Sequence, residues 1–256
     1  MNQILIIGGG GSLGTALVRE SLDHKLQAVV AGRTPPSDPR IQKFYPTDAK
    51  DSDWGSLYLA IEKETAAPID AVIFVAGTAV FGKTTLIPVD RARQTFDLNF
   101  WACTTAARVA AEFWSANRRR GKFLAILSIA ARRAVPFEAY YCASRAATQR
   151  FLDCLQLEYA HKGLEFFCAF PGLLKTPFRR SAEWYGLAPS FSDEGVDVKK
   201  TARVIINLLT GKRTSRVIGW RERSIDLADR LFPGLYDRTV LRPRIRKLLQ
   251  NSPLIL

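Results

Sequence analysis

The sequence predicts an α/β fold, a doubly wound parallel sheet with helices on both faces. Two observations predict it. Short, continuously apolar runs recur along the chain with helical stretches between them, and nearly every run breaks off at a glycine, proline or small polar residue. Strands that are apolar throughout suit a sheet buried on both faces, and helical crossovers between them make neighbouring strands parallel. The first run, 3–7 (QILII), breaks into Gly8-Gly9-Gly10-Gly11-Ser12-Leu13-Gly14, and Leu13, Ala16, Leu17 and Leu22 then mark one face of a helix. A second strand is expected over 26–31, ended by Gly32-Arg33, and a helix over 52–65. Strand 70–75 closes on Ala76-Gly77, a long helix covers roughly 88–117, and 122–128 is the next strand, ending at Ser128. A helix from about 138 to 161 leads to strand 164–170, stopped by Pro171-Gly172; a helix over about 197–210 and a strand at 215–219 follow. One domain spanning 1–256 is expected. It carries a loop-rich segment at about 177–198, holding Phe178, Trp184, Tyr185 and Phe191, and a basic extension at about 220–256.

With 256 residues, 47% hydrophobic and 24% charged, the chain has the makeup of a globular protein and excludes disorder or a collagen-like repeat. No apolar run nears the ~20 residues of a membrane-spanning helix. The opening MNQILIIGGGG lacks a basic region and a small-residue cleavage site, so no signal peptide is expected. Four cysteines form no C-x-x-C pair and do not cluster with His24 or His161, so reduced thiols, no metal site and a cytoplasmic setting are expected. The formal net charge of +13 admits nucleic acid, an anionic membrane surface or acidic small molecules as partners. No nucleic-acid-binding motif accompanies the charge, so nucleic acid is set aside.

The glycine-rich turn lies where a first strand meets a first helix, the context that a dinucleotide-binding (Rossmann-type) turn requires. Glycines allow the tight turn and let a phosphate approach backbone N–H groups at the positive end of a helix. Gly8, Gly11, Ser12, Leu13 and Gly14 are therefore the candidate cradle. The second strand ends without an acid; Arg33 stands there instead and points to NADP(H), because a guanidinium pairs with a 2′-phosphate in bidentate fashion.

Tyr141 follows Ser128 by thirteen residues, and Arg145 lies four further on, on the same helix face as Tyr141. With the glycine turn, Asp48, Ala76-Gly77, Asn99 in DLNF, the run YCASR at 141–145 and FPGLLKT at 170–176, the chain resembles the short-chain dehydrogenase/reductase family. The resemblance implies Tyr141 as general acid/base, Ser128 holding the substrate oxygen, and Asn99 helping a bound water relay protons. It also implies Asp48 at the adenine, Ala76, Gly77, Pro171 and Gly172 along the cofactor groove, and Thr176 at the nicotinamide. A homodimer or homotetramer paired through the helices near 88–117 and 138–161 is a further implication. Tyr140 is the competing phenol, but Ser144 rather than a cation lies four residues beyond it.

Three departures from the family pattern stand out. Arg145 replaces the usual lysine: it supplies the cation that a tyrosine base needs at neutral pH, yet it cannot give up a proton. Ser12 replaces a glycine, although Gly8, Gly11 and Gly14 satisfy G-x-x-G-x-x-G, the spacing of longer, epimerase-like relatives. Phe74-Val75 stands where two asparagines are usual. The expected activity is interconversion of a carbonyl and an alcohol on an apolar or ring-bearing small molecule, given the aromatic 177–198 loop. A catalytically weakened nucleotide-binding sensor or scaffold, and a non-redox dehydratase- or epimerase-like enzyme, stay open as alternatives. The arginines at 179 and 180 are read either as an anion clamp or as solvated cations. The basic extension, in which Trp220, Leu231, Phe232 and Leu235 interleave with arginines, is read as an outer face or a peripheral membrane contact.

Overall fold

In the computed structural model each apolar run is a strand, and residues 1–246 are described except 42, 188–194, 212–214, 233, 236 and 244. Phe191 of the expected aromatic loop, and Arg244, Lys247, Leu248 and Leu249 of the basic extension, therefore lie outside the described residues. Nine strands are described: β1 Gln3–Ile7, β2 Gln27–Gly32, β3 Phe44–Pro46, β4 Ala71–Phe74, β5 Val80–Gly82, β6 Gly121–Ile126, β7 Leu164–Pro171, β8 Glu183–Tyr185 and β9 Arg216–Ile218. Seven of them form one sheet in the order β3-β2-β1-β4-β6-β7-β9, and every neighbouring pair is parallel. This is the doubly wound sheet that the sequence predicts. The chain order reverses between β1 and β4, and in such sheets the crevice outside the strand ends at that point takes ligands.

Period-two alternation divides the core. Leu5 and Ile7 of β1 point to one face, where they meet α2 (Trp54–Thr65), α4 (Cys103–Ala116) and α5 (Ala139–Tyr159). Ile4 and Ile6 point to the other, against α1 (Ser12–Asp23) and α6 (Val198–Thr210). Every residue of β1 is buried, and after Gln3, whose amide donates to Ala67 O, the strand is apolar throughout. The long helix expected near 88–117 is α3 (Val89–Phe96), a π-helical segment at Asp97–Ala102, and α4.

The strands β5 and β8 and a helix at the start of the basic extension have no counterpart in the sequence reading. The loop-rich segment contains β8, which pairs in parallel with β5 as a separate two-stranded sheet. The basic extension begins with α7 (Trp220–Leu231), followed by a π-helical turn at Asp237–Leu241. Among the described residues no helix is long and apolar enough to cross a membrane.

Candidate active site

A cavity of about 680 Å³ runs along the ends of the sheet, from the glycine turn to the segment after β7. At the first end the wall is backbone. Gly8 adopts φ +91°, and a Cβ there would lie 2.6 Å from the Ala76 nitrogen, so only glycine lets the turn close on the end of β4. A Cβ on Gly14 would lie 2.4 Å from the Gly8 carbonyl oxygen, so the helix starts directly under the turn. Gly11 caps α1 without a side-chain hydrogen bond, and the only atom near its missing Cβ is 3.9 Å away. Open space and unpaired helix N–H groups are what an anionic group at a helix start requires. Gly8, Gly11, Ser12, Leu13 and Gly14 all line the cavity.

Arg33 is exposed just past β2, and Asp48 lies just past β3; both line the same end. The loop beyond Arg33 is tied down by Asp38, which accepts from Arg40 Nε at 3.1 Å and pairs with Arg19 of α1 at 3.4 Å. Hydrogen bonds from Arg40 hold the Asp38 carboxyl down at about 2.

Ser128, Tyr141 and Arg145 meet on the wall of the central part of the cavity. Ser128 caps a short 3₁₀ turn, and its Oγ accepts from the Ala130 N–H at 3.2 Å, which leaves the hydroxyl proton free to donate. Tyr141 is buried edge-on to Phe81, with ring centroids 6.1 Å apart, and its ring lies 6.0 Å from that of Phe178. Arg145 sits one turn on, its guanidinium carbon 5.3 Å from the Tyr141 ring centroid. A Cβ on Gly77 would lie 2.0 Å from Arg145 Nη2, so that glycine makes room for the guanidinium. Arg145 is only 3% exposed, yet its Nε and Nη1 have no hydrogen-bond partner. Buried guanidinium donors are costly to leave unpaired, and Arg145 is a residue of the cavity wall; a ligand bearing hydroxyl or phosphate oxygens that reached them would satisfy them. Tyr140 does not line the cavity.

Asn99 does not line it either. Its amide clamps residue 78 from both sides, Oδ1 accepting from Thr78 N and Nδ2 donating to Thr78 O, each at 2.9 Å. Its own carbonyl accepts from Thr148 Oγ1 at 2.9 Å. The clamp fixes the segment that carries Ala76 and Gly77. The π-helical segment around Asn99 brings this side chain to that loop. Val75 lines the cavity while Phe74 belongs to the core, so the pair that replaces two asparagines is divided between wall and interior.

The far end is made of side chains. Pro171, Gly172 and Thr176 line it, followed by Phe178 and Arg179. Arg179 donates to Glu138 at 2.6 Å, and its guanidinium stacks 4.4 Å from the Phe81 ring centroid and 5.1 Å from that of Trp184. Burial pushes the Glu138 carboxyl above its ordinary value, and Arg179 pulls it back only in part. Arg179 is thus one half of an internal ion pair, and Arg180 also has a partner, so neither of the sequence readings of these two arginines describes Arg179. Sequence reading missed the Glu138–Arg179 pair. Glu138 precedes Tyr141 by three residues, a usable signal, but nothing local announces a partner forty-one residues away.

A parallel sheet with its crevice at the reversal, a glycine turn under a bare helix N-terminus and a Ser/Tyr/Arg cluster beside it define a dinucleotide-binding type of α/β protein. The family model "short chain dehydrogenase" matches residues 2–184, and the chain belongs to that family. The bovine protein "Dehydrogenase/reductase SDR family member 7B" is 28% identical over 187 residues, covering 70% of this chain and 56% of its own length, so the match spans about half of that relative. A "Dehydrogenase/reductase SDR family protein 7-like" from Drosophila melanogaster is 23% identical over 253 residues, 91% of this chain and 77% of that one. Among solved structures, a short-chain dehydrogenase from Burkholderia cenocepacia in complex with NADP superposes with a TM-score of 0.78 at 19% identity, covering 93% of this chain and 97% of that one. One from Streptomyces avermitilis also gives 0.78, at 16% identity, with 96% and 97% covered.

Proposed function

We propose that the chain is an NADP(H)-dependent oxidoreductase that interconverts a carbonyl and an alcohol on an apolar or ring-bearing small molecule. One observation carries the reading: Ser128, Tyr141 and an Arg145 with two unpaired, buried N–H groups share one cavity with the glycine turn. When bound, the nicotinamide supplies or accepts the hydride. In this reading the turn from Gly8 to Gly14 takes the pyrophosphate, Arg33 the 2′-phosphate, and Asp48 the adenine. Arg145 donates to ribose hydroxyls. Ala76, Gly77, Pro171, Gly172 and Thr176 flank the nicotinamide. The fold likeness to an NADP-bound relative agrees with this choice of cofactor.

Ser128 Oγ–H holds the substrate oxygen, and the Tyr141 hydroxyl gives or takes its proton, with the permanent charge of Arg145 beside the ring. Arginine replaces lysine here as a fixed cation and hydroxyl donor, not as a proton carrier. Asn99 acts as a positioning residue through its clamp on Thr78, and its carbonyl, which accepts from Thr148 Oγ1, keeps a second lone pair for a water that relays protons. Phe81 and Phe178, beside Tyr141, favour an apolar substrate. Pairing of subunits through α4 and α5 accords with the exposed Trp101 and Leu157 on that stretch.

The test is titration with NADPH and, separately, NADH, followed by nicotinamide fluorescence, then a screen of apolar ketones and aldehydes for NADPH oxidation. NADPH binding that prevails over NADH, with turnover, is expected. Binding without any turnover, regained in Arg145→Lys, would instead make the chain a nucleotide-binding sensor or scaffold. Binding of neither cofactor would remove the oxidoreductase reading.

A further inference from the structure

The helix α7 exposes its apolar side. Trp220, Leu227 and Leu231 are 80%, 57% and 63% exposed, and their spacing of seven and then four residues puts them on one face. Phe232 and Leu235, beyond the helix, are exposed as well. Arg221 and Arg223, both exposed, stand on opposite flanks of the stripe. A soluble surface helix turns such a face inward; here the inward side carries Asp226, bound to Arg132 at 3.0 Å.

A second observation lies beside the first. A recess of about 460 Å³ opens along the Arg223 and Arg230 flank of α7. Arg132, Arg150 and Arg216 complete its basic lining, and among the described residues its carboxylates are those of Asp153 and Asp226. Asp226 serves both Arg132 and Arg230, Asp153 serves Arg150, Arg223 Nε donates to the Gly219 carbonyl at 3.2 Å and Arg216 has a partner of its own, so the lining carries more guanidinium than carboxylate charge. Such an excess of guanidinium groups in a concavity suits phosphate, which they bind in bidentate fashion.

We propose that α7 is a docking surface for an anionic phospholipid bilayer, its apolar stripe entering the headgroup boundary and the adjoining recess taking lipid phosphate. An exposed apolar stripe flanked by arginines is the form of a helix that lies in the membrane interface, with tryptophan at headgroup level. The chain's net charge of +13 favours an anionic surface. At this face a second copy would set the exposed Arg221 and Arg223 against their own counterparts, which disfavours self-pairing through α7. The helix also touches the cavity wall: a Cβ on Gly172, which lines the cavity, would lie 2.5 Å from the Glu222 carboxyl in the first turn of α7. Docking therefore sets the apolar end of the cavity close to the bilayer. The proposal rests on α7 and its recess and stands apart from the choice of cofactor.

The experiment is cosedimentation of the full chain with vesicles of phosphatidylcholine alone and with vesicles in which phosphatidylserine replaces part of it. Capture by the anionic vesicles alone, released by high salt, is expected, with a blue shift of tryptophan emission that Trp220→Phe removes. Arg221→Glu with Arg223→Glu should weaken partition on the order of 10–100-fold, and Leu227→Ser with Leu231→Ser should abolish the blue shift. Thermal melting confirms that the variants fold, since all five positions are exposed. Equal capture by both vesicle types, or by neither, overturns the proposal. So does an oligomer, seen by light scattering, that the Leu227→Ser and Leu231→Ser substitutions dissociate, because a second copy would then cover the face.

Discussion

At the glycine-turn end of the cavity the chain contributes backbone, and at the far end it contributes side chains from distant segments. The first end depends on what is missing: no Cβ on Gly8 or Gly14, and no side-chain cap on α1. The second depends on what is present, with Phe81, Glu138, Arg179 and Trp184 packed around one ion pair. A backbone-built end tolerates little substitution but demands no partner elsewhere in the sequence. A side-chain-built end can be rebuilt for another substrate, provided that its partners change together. On the proposed function, the difference means that nucleotide binding and substrate choice are kept in physically separate materials, with Ser128, Tyr141 and Arg145 at the seam.

Four substitutions probe that division. At the seam, Tyr141→Phe should lower turnover by ~10²–10⁴-fold while NADPH fluorescence still reports binding, because only the proton-transferring hydroxyl is lost. At the backbone end, Gly8→Ala must fit a Cβ 2.6 Å from the Ala76 nitrogen at φ +91°. The cost should be about 2–3 kcal/mol, a fall of roughly 5–10 °C in melting temperature, with loss of NADPH binding. Arg33→Ala removes one charged contact and no packing, so NADPH should bind ~10–100-fold more weakly while NADH is unaffected. Equal loss for both cofactors would show that Arg33 supports the loop rather than reading the phosphate.

At the side-chain end, Arg179→Met leaves Glu138 in its apolar site without the cation that lowers its pKa. Burial already raises that pKa in the folded state, so folding holds a proton that the unfolded chain gives up. Stability then falls as pH rises above the ordinary carboxyl value of 4.5, and the fall deepens once Arg179 is gone. The variant should melt a few degrees below the native chain near neutral pH, the deficit shrinking as pH approaches 4.5. A deficit that does not change with pH would assign Arg179 to packing on Phe81 and Trp184 alone.

How much of this was legible differs from element to element. The run 3–7 and the glycines after it announce β1, the turn and α1 because both effects are local: apolar residues on both faces of a strand, and backbone that a Cβ would obstruct. The spacing from Ser128 to Tyr141 to Arg145 is legible because a helix turns i and i+4 to one side. Asn99 is legible as a motif member but not as a clamp, since its partners Thr78 and Ser144 come from two other segments. The exposed side of α7 is equally hidden, because basic and apolar residues alternate whether the apolar ones face in or out.

The sequence by itself determined the parallel sheet, the phosphate-type turn and which phenol stands beside a cation, because each follows from residues within a few positions of one another. Only the tertiary structure decided that Arg145 is left with two unpaired donors, that Arg179 answers to Glu138 and that α7 turns its leucines outward. Those outcomes depend on which distant surfaces remain to cover a side chain once the sheet has closed, and chain order carries no record of that.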